Sequence, residues 1–194
     1  MQIACVLKGG GEYNAHHVRL LADSILAHNN VPIVCLSDID FDHPGVEVRP
    51  LKHKWQGWWS KIELFREFIG PTLYLDLDTV VVGELPAIGN NFTMLRDVYR
   101  TNDFGSGVMS WQKAPVHLYE TFINCPEHFM GSYRSRRNWG DQAFIRDYLR
   151  ETPSTFGEEF RSYKAHCRKQ VPRGTKVVYF HGKPRPWEVK LCLT

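Results

Sequence analysis

The chain has 194 residues, a length that favours one domain, here 1–194, whose core is large enough to need no metal or disulfide staples. Hydrophobic residues make up 43%, aromatic 13% and charged 23% of it, which excludes a disordered or fibrous protein. A net charge of +3, with basic residues scattered outside "YRSRRNW" and the C-terminal segment, excludes an obvious nucleic-acid footprint but admits an anionic small ligand.

"QIACVL" (Gln2 to Leu7) reads as a strand, "KGGGEYN" as a glycine loop, and Val18, Leu21, Ala22, Ile25 and Leu26 as the apolar face of a helix. "VPIVCLSD" (Val31 to Asp38) and "VEVRPL" (Val46 to Leu51) are two more strands. Trp58, Ile62, Phe65 and Ile69 predict a second amphipathic helix that stops at Gly70-Pro71. "LYLDLDTVVVG" (Leu73 to Gly83) follows as one apolar run. "FTMLRD" and "GVMSW" read as strands, "APVHLYETFINC" and "DQAFIRDYLRE" as helices, and "TKVVYFHG" as a last strand. The prolines of "KPRPWEV" argue against regular structure. Strands alternating with helices imply an α/β fold around a mixed, mostly parallel sheet.

The five cysteines, Cys5, Cys35, Cys125, Cys167 and Cys192, are odd in number and form no C-x-x-C pair, so they read as buried free thiols in a reducing compartment. No apolar stretch approaches the roughly 18 residues of a membrane span, and the start runs into a strand pattern without a basic leader. The expectation is a cytoplasmic protein with no transmembrane segment.

The apolar run around Asp76 and Asp78 carries the chemistry. Side chains two apart on a strand share one side, so the two carboxylates are expected to converge where the strand reaches the carboxyl edge of the sheet. Close-set carboxylates repel and lose hydration, and a divalent cation offsets both penalties. Oxygen ligands of this kind suit Mg²⁺ or Mn²⁺, which complete their shells with substrate phosphates and water. With ten aspartates in the chain, about half a D-x-D arises by chance, so the spacing is weak evidence and the apolar setting carries the reading. "SDIDFDHPG" holds two further D-x-D pairs in a polar stretch and reads as a solvated loop, although Asp38 lies at a strand end.

The same run fits a haloacid-dehalogenase-like phosphatase signature, with Asp76 as nucleophile. Three strands precede it here, whereas that signature stands near the start of its domain.

"KGGGEY", "WWSKIELF", "LYLDLDTVVVG", "FGSGVMSW", "GDQAF" and "FHGKPRPW" occur in an order that resembles nucleotide-sugar glycosyltransferases of the GT-A fold, most similar to the family of glycogenin and the lipopolysaccharide galactosyltransferases. The resemblance implies that Lys8, Gly9 and Tyr13 hold the base and ribose, with Lys61 nearby. It implies that Asp76 and Asp78 bind a Mn²⁺ or Mg²⁺ cofactor that bridges the donor diphosphate, and that Gly182, Lys183 and Arg185 contact phosphate. Arg185 stands where the family has lysine. The family's histidine ligand falls at Tyr179, which leaves His181 as the candidate third metal ligand.

By the same resemblance Ser106, Asp141 and Gln142 face the transferred sugar, the last two as catalytic candidates, with Asp141 also fitting a helix N-cap. Of the tandem Trp58 and Trp59, one is expected in the core. Arg100, Asn102 and Asp103 could reach the sugar, and "YRSRRNW" could gate the site or bind the acceptor. The implied activity is metal-dependent hexosyl or deoxyhexosyl transfer from a nucleoside diphosphate sugar, UDP first, to a glycan, lipid-linked or protein acceptor; the resemblance implies retention of configuration, and inversion with Asp141 as base is the alternative. Little sequence follows Trp187, which suggests a minimal catalytic domain. A non-catalytic nucleotide-sugar or glycan-binding module is the other alternative.

Overall fold

The computed structural model describes residues 1–100, 102–135 and 138–193; Arg136 and Arg137 of the "YRSRRNW" segment lie outside them. Strands β1 (Gln2–Leu7), β2 (Ile33–Ser37), β3 (Val46–Pro50) and β4 (Thr72–Leu75) are mutually parallel, in the spatial order β3-β2-β1-β4. β7 (Phe104–Trp111) adds antiparallel to β4, β6 (Thr93–Arg96) antiparallel to β7, and the two-residue β8 (Ser154–Thr155) parallel to β6. The result is one seven-stranded, mostly parallel sheet, as the α/β alternation predicts.

Helices cover both faces. On one, α1 (Ala15–Leu26) lays Val18, Leu21 and Ile25 against Ile3, Cys5 and Leu7. Each such large aliphatic side chain gains roughly 1.5–3 kcal/mol by leaving water, which is why the 3.6-residue repeat was a dependable signal. Asn14 starts this helix by accepting the His16 N–H at 3.0 Å, while His17 Nδ1 accepts the Asn14 N–H at 3.0 Å. The other face is an aromatic core, with Trp59, Phe65, Trp111, Phe122 and Phe144 drawn from the segments that follow β3, from the end of β7, and from α3 (Val116–Asn124) and α5 (Gly140–Tyr148).

Three expected elements differ. The segment from Trp58 is a 3₁₀ run, Gly57–Glu63, with a single α turn, α2 (Leu64–Glu67), behind it, and Ile69 is exposed. It is buried without interruption from Trp59 to Glu63, so packing on all sides, not an amphipathic stripe, sets its shape. Glu63 is fully buried and anchors the preceding loop by accepting the Lys52 and His53 N–H groups at 2.8 and 2.9 Å.

The run Leu73 to Gly83 is broken in two. β4 ends at Leu75, Thr79 N–H returns to Asp76 C=O at 3.0 Å, and β5 (Thr79–Val81) joins a separate three-stranded sheet, β5-β10-β9. Here β9 is Phe160–Ser162 and β10 is Val177–Tyr179, and neither β8 nor β9 is long enough to leave an alternation in the sequence. α4 (Pro126–Ser132) and a π-helical turn at Tyr163–Cys167 were also unmarked.

"KPRPWEV" does contain a short 3₁₀ turn, Pro186–Glu188, because a proline at the first turn gives up no needed N–H. Among the cysteines, all free, Cys5, Cys35 and Cys167 are buried as expected, whereas Cys125 and Cys192 are exposed. No helix among the described residues is long and apolar enough to cross a membrane.

Candidate active site

A cleft of about 650 Å³ opens at the carboxyl ends of β1 and β4, where the polypeptide passes from the large sheet to the small one. It collects Lys8, Tyr13, Lys61, Asp76, Asp78, Ser106, Asp141, Gln142, His181, Gly182 and Arg185 from six separate stretches of chain. Of the donor-binding, metal and catalytic candidates named from the sequence, two do not line it. Gly9 lies behind the lining, where its N–H donates to Asp38 Oδ1 at 2.7 Å and its Cα abuts Ile39. Lys183 points into solvent and pairs with Glu188 Oε1 at 2.5 Å.

Asp76 and Asp78 stand at the turn between the sheets, and their side chains enter two networks. Asp76 accepts from Tyr74 Oη and from Lys61 Nζ, the latter 3.1 Å from Oδ1. Lys61 also lies 3.1 Å from Asp141 Oδ2 and 3.3 Å from Ser106 Oγ, and Ser106 Oγ donates to Asp141 Oδ2 at 2.6 Å. Burial by itself disfavours the Lys61 ammonium, but Asp141 and Asp76 outweigh it and hold its pKa above the ordinary lysine value. Asp141 is therefore no N-cap: it sits inside the first turn of α5, and the cap position is Trp139.

Asp78 opens the second network. Its Oδ2 accepts from Arg185 and from Tyr13 Oη, the latter at 3.1 Å, and Arg185 grips Glu12 with two further bonds of 2.7 and 3.1 Å. Burial, and then the adjacent Asp76 charge, raise the Asp78 carboxyl to about 7 despite Arg185. Burial raises Asp76 as well. Four carboxylates, of Glu12, Asp76, Asp78 and Asp141, face two cations, of Lys61 and Arg185, so the ionised cluster carries an excess of two negative charges. A divalent cation fits that excess, and a diphosphate would need one more than the bare carboxylates do.

His181 lines the same cleft, but its Nε2 is 2.8 Å from Ser162 Oγ and its ring meets Tyr99 edge-on. Among the described residues no group of three His, Cys, Asp or Glu side chains converges as a metal site. A cation at Asp76 and Asp78 would take the remainder of its shell from phosphate and water. Tyr179, at the family's histidine position, is buried in the cleft wall.

On the opposite lip Arg100, Asn102 and Asp103 do not line the cleft. Asp103 instead accepts from Arg146, and Asp97, Val98 and Tyr99 supply that lip. Of the tandem tryptophans Trp59 is in the core, stacked on Phe122, and Trp58 faces the cleft beside Trp139. Sequence reasoning missed Glu12 and Tyr74. Tyr74 carried a signal, since it stands two residues before Asp76 on the same side of the strand. Glu12 carried none, its partner being 173 residues away.

No protein-family model matches the sequence, and no curated protein matches it significantly. Solved structures that superpose on the chain include glycosyltransferases. The glycosyltransferase GlyE of Streptococcus pneumoniae TIGR4 superposes with a TM-score of 0.62 at 13% identity, over 98% of this chain and 56% of that one. The galactosyltransferase LgtC, solved with donor and acceptor sugar analogues, gives a TM-score of 0.67 at 13% identity, over 96% of this chain and 89% of that one. The bifunctional glycosyltransferase WbbM gives 0.60 at 12% identity over 96% of this chain and 46% of that one. The chain thus spans little more than half of GlyE and less than half of WbbM. At these identities the likeness is one of fold, and the GT-A fold inferred from the motifs is the fold observed.

Proposed function

We propose that the chain is a catalytic domain that transfers a hexosyl or deoxyhexosyl group from a nucleoside diphosphate sugar, UDP first among the candidates, to an acceptor hydroxyl. The observation that carries this reading is the cluster itself: four carboxylates, with Asp76 and Asp78 at the turn between the sheets, facing one lysine and one arginine in the cleft of a glycosyltransferase fold. A Mn²⁺ or Mg²⁺ held by Asp76 and Asp78 would act as a Lewis acid, stabilising charge on the departing diphosphate.

The protein's own groups divide the remaining work. Tyr13 and Lys8, at the end of β1, border the base and ribose, where an aromatic face and a cation suit a nucleotide. Arg185 is already oriented by Glu12 through Nε and Nη2 and by Asp78 through Nη1, and its remaining N–H groups can donate to a phosphate. Lys61 fixes Asp141 and Asp76 in place, and Asp141 with Ser106 presents acceptors for sugar hydroxyls. Such preorganised dipoles cost no reorientation during the reaction. In a retaining path the leaving phosphate itself can take the acceptor proton, so no enzyme nucleophile is needed; His181 would join the metal by exchanging Ser162 for it.

The alternative, a phosphatase using Asp76 as nucleophile, differs in depending on Asp76 alone, so Asp78→Asn would leave it active. The test is a thermal-shift and donor-hydrolysis screen of nucleoside diphosphate sugars with and without Mn²⁺. Metal-dependent stabilisation by UDP, lost in Asp76→Asn and Asp78→Asn, is the expected result. Absence of nucleotide binding under every metal overturns the proposal.

A further inference from the structure

The mouth of the cleft holds two indoles that the donor-side chemistry does not use. Trp58 and Trp139 are 45% and 50% exposed, yet their rings lie 5.6 Å apart and both line the cleft. Single exposed aromatics are ordinary on a protein surface, but an adjacent pair inside a concavity is the pattern of a binding surface.

The pair is also built. In a 3₁₀ segment, residues three apart lie on one side, so the run that aims Lys61 at Asp76 and Asp141 aims Trp58 into the same cleft. Trp58 lies across the backbone of Gly140, where a Cβ would come within 2.7 Å of its Nε1, and the φ of +67° at Gly140 separately favours glycine. Trp139 is held by its bridge to Arg134, and Gly140 N–H donates to Tyr133 C=O at 3.0 Å. Arg146 ties the neighbouring Asn138 with a bond of 3.1 Å.

Gln142 lines the same cleft, three residues after Trp139, and its side-chain amide makes no hydrogen bond among the described residues. An open carboxamide in one cleft with two flat apolar faces suits a ligand that is apolar on one face and hydroxylated around its rim. An acyl chain would leave the amide unsatisfied. A pyranose satisfies both.

We infer that Trp58 and Trp139 form the acceptor subsite and that the acceptor is a carbohydrate, one sugar ring stacking on the indole pair while its hydroxyls bond Gln142. The inference rests on the glycosyl-transfer reading for the word acceptor, but its test does not need a donor. Saturation-transfer NMR of the full chain uses lactose, N-acetylglucosamine, methyl β-galactoside and methyl β-glucoside as probes, with a serine-rich peptide and a dodecyl detergent as comparators.

The expected result is binding of at least one sugar, with signal concentrated on the C–H protons of one ring face. Affinity falls at least about tenfold, or ~1.4 kcal/mol, in Trp58→Ala and Trp139→Ala. Trp139→Tyr, which keeps a flat ring, recovers most of it, and circular dichroism verifies that each variant is folded. Sugars that give no signal, sugars whose signal survives both alanine variants, or preferential binding of peptide or detergent at the indoles each overturn the inference. UDP titrated in parallel separates the two ideas: a wild-type chain that takes no nucleotide sinks the glycosyl-transfer proposal, whatever the sugars do.

Discussion

Asp76 and Asp78 are separated by one residue in the chain and by a change of sheet in the structure. Asp76 closes the large sheet and belongs to a network with Tyr74, Lys61, Ser106 and Asp141, whose lysine is 7% and whose Asp141 is 8% exposed. Asp78 opens the small sheet and belongs to a network with Tyr13, Arg185 and Glu12, the last of which is 40% exposed. The first half is a frame that is dry at Lys61 and Asp141 and open at Asp76, which is 33% exposed; the second is a clamp buried at Asp78 and Arg185 and wetted at Glu12. Two carboxylates proposed to serve one diphosphate are thus held by elements that can respond differently to perturbation.

The largest expected effect tests whether they serve one ligand at all. Asp76→Asn and Asp78→Asn are each expected to lower kcat with a nucleoside diphosphate sugar by ~100- to 1,000-fold, the scale of removing one electrostatic contributor to a transition state. Steady-state donor hydrolysis measures it. A loss confined to Asp76 would break the comparison and restore the phosphatase.

The next effect separates frame from clamp. Lys61→Met leaves Asp76 and Asp141 without their cation, and urea unfolding should show a loss of about 3 kcal/mol, the lower end for a broken buried pair because Asp76 is a third exposed. A loss below ~1 kcal/mol would mean that the frame is not dry.

Gly140→Ala sharpens the link between frame and cleft mouth. It sets a Cβ against Trp58 at a left-handed backbone position, and a loss of ~1–2 kcal/mol in thermal or urea unfolding is expected. The smallest effect falls on the clamp's outer member. Glu12→Gln should cost less than ~1 kcal/mol, since its pairing with Arg185 is solvated, while raising KM for the donor as Arg185 loses its orientation. An unchanged KM would argue that Arg185 needs no such support.

Much of the fold could be read locally. β1, β2, β4, α1, α3 and α5 each carry apolar residues enough to bury a face, and burial is what patterning reports; β3 was legible by alternation although its residues are only half-buried or exposed. The elements that escaped, β8, β9, α4 and the π-helical turn, are short and held by neighbours distant in sequence. The 3₁₀ run escaped for the opposite reason: it is buried all round, so it has no period to detect. At the site, the apolar setting named Asp76 and Asp78, and the resemblance of the ordered motifs named Lys61, Ser106, Asp141 and Arg185; all six meet in one cleft.

By itself the sequence determined which side chains had to be gathered, because carboxylates inside an apolar run and a basic residue before Pro-Trp are costly unless they find partners. Only the tertiary structure decided the pairings. It sent Lys61 to Asp76 and Asp141, Arg185 to Asp78 and Glu12, and His181 to Ser162, and it turned one of two adjacent tryptophans outward. Charge neutralisation acts through space over a few ångströms, and those distances are set by the crossing from one sheet to the other between Asp76 and Asp78, which no local pattern encodes.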